Sequence, residues 1–241
     1  MMKPVAIFRH AAGDGPGYFS THLTRRNVPY ELICLDRGRE VPADARAFSG
    51  IGLMGGPMSV NDPLPWIAPL GDLVRGAVAA DVPVIGHCLG GQLLSKSLGG
   101  TVTLNPVKEI GWAEVRIADT PPAPDWFGDT RAFLSFHWHG ETFSIPDGAR
   151  RIAWSEHCAN QAFAIGPHIG LQCHVEMTPA MIRAWCRSGA RELRDARSPA
   201  VQSAAAMSED LAARVAALNA VAGRLYDRWL EGVLRARPLN P

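Results

Sequence analysis

Long hydrophobic runs are missing from this chain of 241 residues. None approaches the roughly 20 apolar residues that cross a bilayer, so a membrane role is not expected. An excess of one charge is missing too. Twenty-four Lys and Arg stand against 23 Asp and Glu, a formal net charge of +1, which gives no electrostatic footing for nucleic acid or an anionic membrane surface. The five cysteines, at positions 34, 88, 158, 173 and 186, are odd in number and lack the spacing of a small disulfide framework. A reducing cytoplasm is the expected setting. No Cys-x-x-Cys or His-Glu-x-x-His is present to hold a metal, and no P-loop to hold a nucleotide. Cofactor and metal are both expected to be none. No internal repeat or low-complexity linker interrupts the chain. The apolar part of residues 1–8 is too short for a signal peptide and reads as a first strand.

What is present can build a sizeable core, with 47% of residues hydrophobic. The length suits one α/β domain, or one with a helical appendage. Segments 5–8, 30–34, 50–54 and 83–86 read as strands, with helices over 17–26 and about 65–80 between them. Alternating strands and helices imply parallel βαβ units and an open, doubly wound sheet with helices on both faces. After residue 100 the strands shorten (101–104, 111–117, 131–136, 151–154, 162–165 and 168–172), which points to an antiparallel extension. Residues 187–197 read as loop or frayed helix. Residues 208–234 read as a helix whose stripe of Leu211, Val215, Leu218, Ala222, Leu225 and Trp229 packs back on the domain. A dimerisation or partner-docking role for that helix is the alternative. The expected division is a domain over 1–186 and a C-terminal helical extension over 187–241.

Two segments carry chemistry. In Val84-Ile85-Gly86-His87-Cys88-Leu89-Gly90-Gly91-Gln92 a short apolar strand runs through a small-residue turn into a helix. This is the pattern of a nucleophile elbow, with Cys88 at its apex. Unpaired N–H groups at the helix start stabilise negative charge there. A buried structural cysteine fits the same residues about as well. The second segment, Gly170-Leu171-Gln172-Cys173-His174-Val175-Glu176, tips the balance. In extended chain, residues two apart point the same way, so Glu176 can hold one nitrogen of His174 while the other faces a thiol. Nucleophile, base and orienting acid then follow in the order Cys88, His174, Glu176. Gly55, Cys88 and His174 all fall at carboxyl ends of strands, where open α/β sheets place their sites.

Other motifs weigh less. Gly50-Ile51-Gly52-Leu53-Met54-Gly55 spells G-x-G-x-x-G but is mostly strand rather than strand-to-helix turn. Gly13-Asp14-Gly15-Pro16-Gly17 reads as a flexible loop bordering the mouth of the site. His137, His139 and Glu141 could ligate a metal, which is the minority reading.

Six segments in order make the chain resemble the class I, triad-type glutamine amidotransferases, in particular stand-alone proteins similar to the glutaminase domain of GMP synthase. They are Gly55-Gly56-Pro57-Met58-Ser59-Val60, the Cys88 elbow, Lys108-Glu109-Ile110-Gly111-Trp112, Phe136-His137-Trp138-His139-Gly140-Glu141, Asn160-Gln161-Ala162-Phe163 and His174-Val175-Glu176. Cys173 and Val175 depart from the aromatic residue and the proline usual in the family. The resemblance implies a flavodoxin-like amidotransferase fold and hydrolysis of the glutamine side-chain amide through a Cys88 thioester. It also implies backbone N–H groups of Gly56 and Leu89 as an oxyanion hole, and Gly55, Gln92, Gly140 and Glu141 as substrate contacts. It makes His137 to Glu141 a turn lining the glutamine pocket. The Gly/Ser pyrophosphatase loop of ATP-dependent amidating domains is missing, so ammonia would pass to an acceptor on a separate synthetase subunit. Two alternatives stay open: hydrolysis of another γ-glutamyl compound, and a non-catalytic binding or regulatory protein of amidotransferase type. A homodimer also stays open.

Overall fold

Alternate residues of β1 (Val5–Arg9) feed two different cores. Val5 and Ile7 join one cluster and Ala6 and Phe8 the other, as the two-residue period of a strand covered on both faces requires. The computed structural model describes residues 2–235; residues 236–241 of the expected extension lie outside them. The chain continues through α1 (Gly17–Arg25), β2 (Tyr30–Cys34), β3 (Gly50–Leu53), α2 (Ile67–Ala79), β4 (Val84–His87) and α3 (Leu89–Ser97). After them come β5 (Val102–Ile117), α4 (Ala123–Phe127), β6 (Ala132–Phe143), β7 (Arg150–Ser155), β8 (Ala162–Ile165) and β9 (His168–Leu171). Four helices close the chain: α5 (Pro179–Ser188), α6 (Ala190–Asp195), α7 (Ala204–Ser208) and α8 (Leu211–Arg235).

All nine strands form one sheet in the order β2-β1-β3-β4-β9-β8-β7-β5-β6. The first five are parallel and the pairs from β9 to β6 antiparallel. This is the open, doubly wound sheet with antiparallel extension that the residue pattern predicts. Helices α2 and α3 cover one face, while α1, α4 and α8 cover the other. The predicted stripe of α8 is buried from Leu211 to Trp229, and each such side chain contributes roughly 1.5–3 kcal/mol. No helix among the described residues is long and apolar enough to cross a membrane.

Two expectations change. The strands predicted at 101–104 and 111–117 are one strand, β5, whose register against β6 shifts between Leu104 and Glu109. That irregularity frees Asn105, Pro106 and Lys108 to line a cleft. The segment His137 to Glu141, expected as a turn, is strand within β6, pairing Gly111↔His137 and Glu109↔His139. His139 can occupy a buried strand position because the Glu109 carboxylate opposite supplies a hydrogen-bond partner. Within 187–197, read as loop or frayed helix, residues Ala190–Asp195 form the short helix α6.

The pairing of β4 with β9 positions everything that follows. His87 lies opposite Leu171 in parallel register. The residues just past the two strand ends, Cys88 and Gln172, therefore emerge side by side.

Candidate active site

Cys88 has φ 51 and ψ −109, a conformation that costs a non-glycine residue about 1–3 kcal/mol and persists only when neighbours enforce it. Its N–H donates to Leu171 O at 2.8 Å, and its own carbonyl accepts from Gln92 N–H at 2.9 Å. Glycine is required on both sides: a Cβ on Gly86 would run into the Gly90 carbonyl, and one on Gly90 into Leu53 O. This is the geometry of a nucleophile elbow, with the sulfur held at the N-terminus of α3. Tyr226 of α8 supports the turn from below, its hydroxyl 3.1 Å from His87 Nε2.

His174 is fixed by its N–H donating to Phe136 O of β6 at 2.8 Å. Its Nδ1 meets Glu176 Oε1 at 2.7 Å, with both side chains buried. Burial opposes charge on His174, but the charges of Glu176 and Cys88 and hydrogen bonds to both hold its imidazolium well above the ordinary range. Burial likewise opposes ionisation of Glu176, and His174 and then His87 outweigh it to hold the carboxyl low. Trp185 of α5 stands edge-on to the imidazole, ring centroids 4.9 Å apart. The Glu176 carbonyl accepts from Tyr18 N–H at 2.7 Å. Gly17, at φ 47, packs so tightly there that any Cβ would strike that same carbonyl.

A cleft of about 960 Å³ opens over these groups. Cys88, His174, Gln92, Gly56, Gly140 and Glu141 line it. The other three predicted positions stand behind its wall: Leu89 and Glu176 are buried, and a Cβ built on Gly55 would lie 3.2 Å from His174 Cε1 and 3.9 Å from Cys88 Cβ. Glu141 places its carboxylate on the Ser59 hydroxyl at 3.0 Å. Its backbone carbonyl accepts from Gln92 Nε2 at 3.4 Å and faces His139 Nδ1 at 3.0 Å.

One contact had no signal in the residue pattern. Gln172 is fully buried, and its Oε1 accepts from Gln92 Nε2 at 3.2 Å. That bond orients the amide so that Nε2 donates to Cys88 Sγ at 3.6 Å, a charge-assisted bond whenever the sulfur is a thiolate. Only the adjacency of β4 and β9 brings the two together. Behind this layer, His139 Nε2 meets Glu109 Oε2 at 2.9 Å, and Ser155 and Gln161 donate to the same carboxylate. Burial disfavours ionised Glu109, but the His139 hydrogen bond and the charges of His137 and His139 hold its carboxyl below the ordinary range. Cys158 adjoins Glu109 and His139, and burial pushes its thiol up to about 11. Its sulfur already contacts the Thr142 hydroxyl at 3.2 Å.

This elbow-bearing sheet, with an imidazole and carboxylate beside a cysteine, belongs to a known class: the chain is a member of the class-I glutamine amidotransferase family, whose model matches residues 20–184. Among solved structures, a glutamine amidotransferase from Methylobacillus flagellatus superposes with a TM-score of 0.97 at 46% identity, covering 100% of this chain and 99% of the other. One from Thermotoga maritima superposes with a TM-score of 0.86 at 24% identity, covering 96% and 99%, a likeness of fold alone. A glutamine amidotransferase-like protein of Salmonella typhimurium, YfeJ, is 31% identical over 78% of this chain and 82% of its own length. The GMP synthase of Aromatoleum aromaticum is 32% identical over 65% of this chain, a match that spans only 31% of that enzyme.

Proposed function

We propose that this protein hydrolyses the side-chain amide of glutamine through a γ-glutamyl thioester on Cys88. The observation that carries the reading is the meeting of three side chains remote in sequence: an elbow cysteine, and beside it a buried imidazole bonded to a carboxylate. The Cys88 sulfur attacks the amide carbon, and the carbonyl oxygen becomes an oxyanion held by the N–H groups of Gly56 and Leu89. Such donors each lower the barrier by about 3–4 kcal/mol. The C–N bond then breaks as His174 passes its proton to the departing nitrogen, releasing ammonia. Water attacks the thioester, His174 takes the proton, and the C–S bond breaks to give glutamate and free thiol. Gly55, Gln92, Gly140 and Glu141 receive the α-amino and α-carboxylate groups. The described residues from 187 to 235 form an extension on the amidotransferase domain that ends at residue 186, and ammonia passes to an acceptor on a separate synthetase subunit. The five free cysteines suit a reducing cytoplasm.

One observation favours a second reading. A cleft of about 960 Å³ reaches the size that holds drug-like ligands, more than glutamine fills. Hydrolysis of a larger γ-glutamyl compound uses the same groups. Ammonia release from glutamine, compared with amine release from γ-glutamyl dipeptides, decides between the two; release from neither would remove the proposal.

Two variants probe the supporting groups. Glu176→Gln leaves the ring unable to be held as an imidazolium and is expected to lower kcat by roughly 10²- to 10³-fold, less than loss of His174 itself. Gln172→Leu removes the donor on Cys88 Sγ and is expected to lower kcat by about 10- to 100-fold, with KM little changed. Steady-state ammonia release checks both. An unaltered kcat in Gln172→Leu would show that the amide does not act on the sulfur.

A further inference from the structure

The loop of residues 11–14 forms part of the cleft wall beside His174, and its polar group there is the half-buried Asp14 carboxylate. The loop is pinned from two sides. Trp185 Nε1, on the helix that also packs on His174, donates to Gly13 O at 2.9 Å, and Asp14 N–H donates to Ala11 O at 3.1 Å. Asp14 Oδ1, His174 Cε1 and Cys88 Cβ all come within 4 Å of one point, the place a Cβ on Gly55 would take. Asp14, Cys88 and His174 also line the same cleft, so a carboxylate borders the cleft space beside nucleophile and base.

In the proposed reaction that space belongs to the departing nitrogen. His174 must reach it to deliver a proton as the C–N bond breaks and the C–S bond forms. The glutamyl end lies on the other side of Cys88, toward Gln92, Ser59 and Glu141. Any substituent on the departing nitrogen is thus directed past His174 toward Gly13, Asp14 and Trp185.

We propose that Asp14 sets leaving-group specificity: its carboxylate admits ammonia or a neutral or cationic amine, and disfavours an amine that itself bears a carboxylate, as in a γ-glutamyl-amino acid. This rests on the amide-hydrolysis reading above and narrows its substrate class. The charge is tunable. Burial pushes the Asp14 carboxyl up to about 6, with the charges of His174 and Glu176 acting in opposite directions. Cys88, Lys108, His139, Glu141 and Glu192 line the same cleft, and His10, just before the loop, is pushed down to about 4 by burial, leaving it neutral. Above pH 6 Asp14 is ionised and repels an anionic leaving group; below it the repulsion fades.

The test compares kcat/KM for γ-glutamylglycine and γ-glutamylglycinamide, which differ in the charge of the departing group and in the basicity of its amine. The basicity difference belongs to the substrates and is the same for wild type and Asp14 variants, so the change of the ratio on substitution and with pH is the readout. Ionisation of His174 or Cys88 cancels in their ratio. The wild-type protein is expected to prefer the glycinamide by about tenfold or more at pH 8, with the preference shrinking below pH 6. Asp14→Asn and Asp14→Ser are expected to shrink the preference about tenfold, to the intrinsic difference between the two amines, and to abolish its change across pH 6. A wild-type ratio retained in both variants, or a ratio near one in the wild type, overturns the role of Asp14 while leaving amide hydrolysis standing. No turnover of glutamine or of either γ-glutamyl amide overturns both.

Discussion

Replacing Cys88 by alanine is expected to lower glutamine hydrolysis by about 10⁴-fold or more, to the level of the uncatalysed background. Among the described residues no other cysteine lines the cleft: Cys158 and Cys173 are buried, and burial pushes their thiols up to about 11 and 12. Alanine and serine keep the Cβ, and with it the backbone tension at φ 51, so melting temperature should hardly change. Cys88→Gly makes a sharper forecast. It relieves the positive-φ cost and should stabilise the fold by about 1 kcal/mol while abolishing turnover. Denaturant midpoints measured beside ammonia release check both halves. A glycine variant no more stable than wild type would mean that the elbow stores no strain.

His174→Ala is expected to lower kcat by about 10³-fold or more and also to destabilise the fold. Glu176 is left charged and buried without its partner, a change that typically costs about 3–5 kcal/mol. The pH dependence has a definite sign. The raised imidazolium of His174 contributes stability in full below the ordinary imidazole range and loses it as pH rises through the folded value. The lowered carboxyl of Glu176 contributes above the ordinary carboxylate range and loses it as pH falls. The deficit of His174→Ala should therefore be largest between those ranges and shrink toward acid pH, where Glu176 protonates and its burial ceases to cost charge. Chemical denaturation at several pH values checks this. A deficit independent of pH would show that the pair is not ionised in the native protein.

Much of the fold was legible because it is local. The apolar runs of β1 and β3 and the stripe of α8 each declare themselves within one segment. The elbow was legible for the same reason, since a strained cysteine needs its glycines adjacent in sequence. His174 and Glu176 were legible because they are two residues apart. Contacts made across the sheet were not. The Gln172 amide reaches Cys88 only through the β4–β9 pairing, which no local pattern announces. The family resemblance makes the run from His137 to Glu141 a turn, and the groups that meet its histidines, Glu109 at His139 Nε2 and Gln161 at His137 Nδ1, are distant in sequence. The short helix α6 was legible only as loop or frayed helix, yet its Glu192 bonds both Lys108 and the Trp138 indole at the rim of the cleft.

Activity depends on a sulfur made reactive by an imidazole and carboxylate that the chain gathers from afar. A glutamine analogue carrying a diazoketone in place of its amide, followed by peptide mass spectrometry, measures this directly. The expected result is one covalent adduct per chain, on Cys88, suppressed by excess glutamine and slowed by His174→Ala. Adducts spread over other cysteines, or ammonia release that continues unchanged after Cys88 is fully labelled, would contradict it.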